Sequence, residues 1–150
     1  IMSDVANIAA GYSHSLILKN NGSLWVCGWN SFGQLGNKSN DNINDPDSIM
    51  NDVANIAAGR NHSLILKNNG SLWVCGGNSS GQLGNKSNID KNAPEKIMDE
   101  VVNIAAGYYH SLILKKDGSL WACGANFSGQ LGDGTAEDKN TPVRIIPKQK

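Results

Sequence analysis

The chain has 150 residues, with 13 basic and 13 acidic residues and a formal net charge of zero. A balanced charge gives no electrostatic basis for binding DNA, RNA or an anionic membrane, so neither nucleic acid nor membrane is an expected partner. No apolar run approaches the roughly 20 residues that a membrane-spanning helix needs, and no signal peptide is visible in the sequence.

One sequence unit recurs three times along the chain. Residues 5–11 return as 53–59 and, with one change, as 101–107, which gives a step of 48 residues (53 − 5 = 48). A period near 50 residues is typical of propellers and solenoids. We expect a single repeat domain, 1–150, with units of approximately 5–52, 53–100 and 101–147. The segment that closes each unit has no proline-containing counterpart before Ile1, so the chain is expected to begin inside a repeat, as a fragment would.

Each unit predicts four short strands in chain order. The first is 5–10, whose small side chains suit a crowded position near a propeller axis. The second and third, at 15–18 and 24–27, are near-continuous apolar runs, which indicate strands covered on both faces. Between them, Asn21-Gly22 predicts a type I′ hairpin turn, because both residue types accept positive φ angles. Residues 47–50 predict a fourth strand.

The unit then reveals a family pattern. It reads A-A-G-x-x-H-S-L-I-L at 9–18, N-G-S-L-W at 21–25, C-G-x-N-x-x-G-Q-L-G at 27–36 and P-x-x-I at 46–49. This pattern resembles the regulator of chromosome condensation repeat, and it covers nearly the whole chain three times over. The resemblance implies an all-β fold, a seven-bladed β-propeller of four-stranded antiparallel blades. This chain would supply three consecutive blades, and so a partial or open propeller.

The histidines and cysteines also recur once per unit, at positions 14, 62 and 110 and at positions 27, 75 and 123. Each histidine lies between a glycine turn and a buried strand, which favours a structural hydrogen bond to a turn over a metal site with short ligand spacings. Neighbouring cysteines are expected to lie too far apart for a disulfide, which favours a reducing, intracellular compartment. No carboxylate pair, and no nucleophile with a base, can be singled out. We therefore predict no enzyme activity, no metal and no cofactor.

Positions that differ between the units are candidates for recognition, because positions shared by all three are explained by folding. The variable positions precede each histidine or follow each third strand, and the strand directions bring both sets to one end of the blades. They are rich in tyrosine, tryptophan, phenylalanine and arginine, which are enriched in binding hot spots. We predict a protein-binding patch of Tyr12, Trp29, Phe32, Arg60, Tyr108, Tyr109 and Phe127. The alternative for Trp29, Phe32 and Phe127 is packing between blades.

The favoured function is a non-catalytic protein–protein interaction scaffold with an unidentified protein partner. The resemblance implies two alternatives. The repeat's namesake is a guanine-nucleotide exchange factor for the small GTPase Ran, which makes a small GTPase a candidate partner, although no residue here matches that activity one for one. A secreted bacterial member of the fold inhibits β-lactamase, which makes an enzyme inhibitor the other alternative. An open arc of three blades would also leave apolar faces and strand edges uncovered, so self-association to complete a propeller is expected.

Overall fold

The computed structural model describes residues 1–149, which form twelve β-strands and no helix. The first sheet contains β1 (Val5–Ala10), β2 (His14–Lys19), β3 (Leu24–Gly28) and β4 (Ile43–Met50). The second contains β5 (Val53–Ala58), β6 (His62–Lys67), β7 (Leu72–Gly76) and β8 (Lys91–Met98). The third contains β9 (Val101–Ala106), β10 (His110–Lys115), β11 (Leu120–Gly124) and β12 (Lys139–Arg144).

Each sheet is one blade, in which four consecutive strands pair antiparallel in chain order. The predicted all-β architecture of three four-stranded antiparallel blades is therefore confirmed. Residues 1–149 contain no helix with the length and apolar character needed to span a membrane.

The fourth strand is longer than the apolar pattern predicted. β4 begins at Ile43 and not at residue 47, and it pairs with β3 from Gly28↔Ile43 to Leu24↔Met50, with register shifts on the way. Most of its side chains are exposed, as on an edge strand. An edge strand needs only backbone pairing on one side, so it accepts polar residues and Pro46, which a pattern of apolar residues overlooks.

The hairpin between β2 and β3 differs from the predicted type I′ turn. Gly22 has a φ of 84°, but Asn21 is not among the residues with positive φ, whereas a type I′ turn needs both. The observed loop has three residues, with Gly22 N donating to Lys19 O and Lys19 N donating to Ser23 O, each at 3.0 Å. Asn21 Oδ1 accepts from Ser23 N at 3.0 Å and holds the loop in this form. The prediction of a tight hairpin here was right, and its turn type was wrong.

The core lies between the blades. In β2, alternate side chains point to opposite faces, so Leu16 and Leu18 turn toward the second blade while Ile17 turns away from it. The leucine face of the first blade packs against Ile56 and Ile65 of the second, and the leucine face of the second packs in the same way against the third. Each blade therefore presents a leucine face on one side and a valine–isoleucine face on the other.

The first strands of the blades lie against one another, as the innermost strands of a propeller do. At one end, Asn7 Nδ2 donates to Asn55 Oδ1 at 3.0 Å. At the other end, Tyr12 N donates to Arg60 O, and Arg60 N donates to Tyr108 O, both at 3.1 Å. Small side chains in β1, β5 and β9 permit this close approach of the three backbones.

Two blade faces are uncovered in this chain. Ile8 on the first blade is 72% exposed, whereas its counterpart Ile56 on the second is 6% exposed. On the third blade Leu114 is 37% exposed, whereas its counterpart Leu66 is 4% exposed. The uncovered faces are thus a valine–isoleucine face and a leucine face, the two kinds of surface that pack together between the blades.

Candidate protein-binding site

The variable segments before each histidine lie beside the loops that follow each third strand. Trp29 N donates to Ser13 O at 2.8 Å, Gly77 N to Asn61 O at 2.7 Å, and Ala125 N to Tyr109 O at 2.9 Å. The two variable sets of the sequence therefore share one end of each blade. We call this end the variable rim.

Each turn of the variable rim is built around a glycine and a histidine ring. A Cβ atom at Gly11 would overlap the ring of His14, and the same is true of Gly59 with His62. Only glycine leaves room for the ring at this position of the turn. The residue that follows each glycine therefore starts from the same place on every blade, which brings Tyr12, Arg60 and Tyr108 side by side.

The structure brings four of the seven predicted residues into one group, which we call the tyrosine–arginine cluster: Tyr12, Arg60, Tyr108 and Tyr109. The guanidinium carbon of Arg60 lies 4.8, 4.7 and 5.7 Å from the ring centroids of Tyr12, Tyr108 and Tyr109. Arg60 Nη1 also donates to the hydroxyl of Tyr109. Contacts of a guanidinium with aromatic faces at this distance are attractive, so the cluster holds its own arginine in place.

The tyrosine rings of the cluster also contact one another edge to face. Tyr108 meets Tyr109 edge to face with centroids 4.7 Å apart, and it meets Tyr12 in the same way at 6.4 Å. Tyr12 and Tyr108 are nevertheless 65% and 51% exposed. The cluster therefore combines mutual aromatic contacts with large accessible aromatic surface.

A shallow depression of about 250 Å³ opens beside the cluster. It is lined by Tyr12, Arg60 and Tyr108 together with the alanine–glycine ends of the three first strands. Arg60 Nε is buried there and has no hydrogen-bond acceptor among residues 1–149. The ion pairs among residues 1–149 all involve lysine, so no carboxylate in these residues pairs with the charge of Arg60.

The other three predicted residues lie apart from this cluster. Trp29 and Phe32 are half-buried and meet edge to face with centroids 5.5 Å apart. Phe32 lies close to the second blade, where a Cβ atom on Gly77 would be 3.7 Å from its own Cβ. Phe127, on the third blade, is 75% exposed. Phe32 is thus best described as packing between blades, whereas Phe127 is exposed at the surface and accessible to a partner.

Sequence reasoning missed the residue that shapes the rim loops. Asn30 is fully buried, and its Nδ2 donates to Ser39 O at 2.8 Å and to Asp41 O at 3.0 Å. Its Oδ1 accepts from Leu35 N at 2.9 Å. Asn78 and Asn126 make the equivalent bonds in the other two loops. The signal in the sequence is the asparagine of the G-x-N element, which recurs in every unit.

The repeated histidines join neighbouring blades, where a bond to the local turn was expected. His14 Nε2 lies 3.0 Å from Ser63 Oγ, and His62 Nε2 lies 3.0 Å from Ser111 Oγ. Burial lowers the pKa of His14 to about 4 and that of His62 to about 3, so both rings are neutral near pH 7. Within the described part of the chain, no group of three or more histidine, cysteine, aspartate or glutamate side chains is placed to hold a metal ion.

The cysteines are free thiols, and two of them are buried in the blades. Cys75 Sγ donates to Gln34 O at 3.6 Å, and Cys123 Sγ donates to Gln82 O at 3.5 Å. Burial raises the pKa of both thiols to about 12. They are therefore protonated near pH 7 and behave as small core side chains.

Comparison with solved structures supports the same architecture. Prp20p from Saccharomyces cerevisiae, described with its binding properties to Gsp1p and histones, is 27% identical over 95% of this chain, with a TM-score of 0.85. Yeast RCC1 (Prp20) bound to Kap60 is 28% identical over 95% of this chain, with a TM-score of 0.84. This chain spans only 38% and 37% of those two chains. Human WBSCR16, at 22% identity over 95% of this chain and 53% of its own, has a TM-score of 0.59 and shows the fold alone.

Comparison with curated proteins gave no match. Two family profiles match the chain, both described as the regulator of chromosome condensation (RCC1) repeat. One matches residues 5–34, 53–82 and 101–130, and the other matches 21–66, 69–114 and 117–150. With three matched repeats over most of its length, the chain belongs to the regulator of chromosome condensation (RCC1) repeat family.

Proposed function

We propose that this chain is a non-catalytic protein-interaction module that binds a partner protein through the tyrosine–arginine cluster on its variable rim. The observation that carries the proposal is the exposure of Tyr12 and Tyr108 around a fixed Arg60. Tyrosine and arginine dominate binding hot spots, and a rigid aromatic side chain loses little conformational entropy when a partner covers it.

The position of the cluster supports the same function. Its residues stand on turns between paired strands, and backbone hydrogen bonds join those turns from one blade to the next. Binding residues are often found on loops that a rigid scaffold holds in place. The cluster also draws on all three blades, so the repeat is used to assemble one asymmetric surface from similar units.

The test is a binding measurement with two purified probes, Gsp1p and histones, which are the proteins named with the relative Prp20p. We expect one of them to bind the wild-type chain, and Tyr12→Ala with Tyr108→Ala to weaken that binding at least tenfold. The matched control is Ile89→Ala, another exposed apolar side chain outside the cluster. Binding that the double variant and the control leave equally unchanged would reject the cluster as the contact surface, and no binding of either probe would count against the module.

A second function is favoured by one observation, the similarity to Prp20p at 27% identity with a TM-score of 0.85. The family resemblance implies guanine-nucleotide exchange on a small GTPase, and exchange also starts from protein binding at a propeller surface. A nucleotide-release assay with small GTPases separates the two functions. Faster release in the presence of this chain favours exchange, whereas binding without faster release favours the interaction module.

A further inference from the structure

Arg60 carries a positive charge that no carboxylate among residues 1–149 neutralises. The three ion pairs among residues 1–149 are formed by lysines, and the aromatic neighbours of Arg60 are tyrosines. Arginine has five N–H donors. Only Nη1 has a hydrogen-bond partner here, the Tyr109 hydroxyl, and the buried Nε has none. The side chain is thus positioned but chemically incomplete.

The Arg60 side chain already has several contacts within residues 1–149. Three rings contact the guanidinium, and Tyr109 accepts from one of its nitrogens. A planar guanidinium offers two parallel N–H groups that match the two oxygens of a carboxylate. Because these contacts already restrict the Arg60 side chain, it loses less conformational freedom on binding a carboxylate than a freely exposed arginine would.

The size of the neighbouring depression limits what can enter. Its volume of about 250 Å³ lies below the range of about 300–1,000 Å³ that is usual for small-molecule and cofactor sites. The alanine–glycine ends of β1, β5 and β9 form its floor, so a partner's backbone can come close. The depression is shallow and open to solvent, so an acidic side chain on a protein surface can reach it.

We propose that Arg60 reads a carboxylate, the side chain of an aspartate or glutamate on the partner protein, while Tyr12 and Tyr108 contact the surface around it. This inference rests on the proposed function and adds the chemistry of the partner. Carboxylate is favoured over phosphate, because phosphate recognition in proteins usually recruits clusters of arginines. The chain has only one other arginine, Arg144, which lies exposed at the end of β12.

The same scarcity of arginine makes a direct test possible. The Nε–H groups of Arg60 and Arg144 give two separate signals in a ¹H–¹⁵N spectrum of the full chain. The probes are an acetylated, amidated tetra-glutamate peptide and the matching tetra-glutamine peptide. We expect tetra-glutamate to shift the Arg60 signal saturably, with a Kd on the order of 1 mM. Tetra-glutamine should leave that signal in place, and Arg144 should respond much less.

The same titration at higher salt is a second measurement. The affinity for tetra-glutamate should fall, since a carboxylate contact near the surface weakens when ions screen it. Equal shifts from the two peptides, equal responses of Arg60 and Arg144, or no shift at Arg60 would each overturn the inference. The dispersion of the same spectrum shows directly that the chain is folded.

A variant separates this inference from the proposed function. Arg60→Lys keeps the positive charge but loses the planar fork, so partner binding should weaken about tenfold. Suppose that a protein partner loses affinity when Tyr12 and Tyr108 are changed, but not in Arg60→Lys. The proposed protein-binding function is then supported, and carboxylate binding by Arg60 is rejected. If the peptide titration saturates at Arg60 while neither protein probe binds, carboxylate binding by Arg60 is supported and the proposed protein-binding function is rejected.

Discussion

His14 of the first blade and Ser63 of the second are hydrogen-bonded, with Nε2 and Oγ 3.0 Å apart. Ser63 Oγ donates its own proton to Gln34 O at 2.7 Å. A hydroxyl has one proton, so Ser63 accepts from the imidazole, and the neutral ring carries its proton on Nε2. The relay joins a strand and a loop of the first blade to a strand of the second, and His62, Ser111 and Gln82 repeat it at the next boundary.

We predict that the chain loses stability as the pH falls below about 6.5. The pKa values of His14 and His62 in the folded chain are lowered from 6.5 to about 4 and about 3. Between pH 6.5 and these values, the two histidines are therefore protonated in the unfolded chain but neutral in the folded chain. The stabilisation is complete above the unfolded pKa and is lost as the pH falls toward the folded values. By pH 5 the loss should be about 2 kcal/mol per histidine.

Urea unfolding at pH 7.5, 6 and 5 measures this loss. His62→Gln is the control, because it removes the titrating group of the most deeply buried ring. Its stability should depend less on pH over this range. A free energy of unfolding that stays constant between pH 7.5 and pH 5 would contradict the prediction.

Removal of the Ser63 hydroxyl, which hydrogen-bonds His14 across the blade boundary, should lower the stability of the chain. In Ser63→Ala the Nε2–H of His14 stays buried without an acceptor, so we expect a loss of about 1–3 kcal/mol in the free energy of unfolding. Ser15 occupies the same position on the first blade and is only half-buried, so Ser15→Ala should cost less than about 0.5 kcal/mol. Similar losses for the two variants, measured in urea, would show that the bond between blades contributes little.

Leucines at equivalent positions should differ in their contribution to stability. Leu66 packs against the third blade and is buried, whereas Leu114 faces outward on the third blade. Leu66→Ala should cost about 2–5 kcal/mol because it leaves a cavity, while Leu114→Ala should cost about 1 kcal/mol or less. Equal costs in chemical unfolding would mean that the blades do not stack as described.

The blades were readable from the sequence because the unit recurs in register, so each strand was supported three times. The start of β4 at Ile43 was missed because an edge strand there is stabilised by backbone pairing and not by apolar side chains. The turn type at Asn21-Gly22 was missed because Asn21 bonds the backbone of Ser23, a choice between two similar loops that the residue pair alone does not decide.

The candidate site was predictable only in part, for a geometrical reason. The residue types and their end of the blade followed from variability and strand direction. The contact of Arg60 with Tyr12, Tyr108 and Tyr109 joins three blades, so it depends on how one blade is set against the next. Local pattern carries no such information. For the same reason the sequence predicts a partner for His14 in its own turn, whereas the partner, Ser63, lies on the neighbouring blade.

Self-association is expected from the two uncovered blade faces. Ile8 marks a valine–isoleucine face and Leu114 a leucine face, so one copy can cover the other in the same way as consecutive blades do. Analytical ultracentrifugation should show association that increases with concentration, and Ile8→Asp with Leu114→Asp should weaken it. Ile146→Asp, an exposed residue after β12, is the control. A well-behaved monomer at all concentrations would contradict the expectation.

We expect the variable rim to contact a protein partner. Hydrogen–deuterium exchange of the chain with and without bound Gsp1p or histones locates the contact directly. We predict slower exchange at the rim turns, residues 11–13, 59–61 and 107–109, and unchanged exchange at the hairpins on the opposite end, residues 20–22, 68–70 and 116–118. Slower exchange at those hairpins, with the rim turns unchanged, would contradict partner binding at the variable rim.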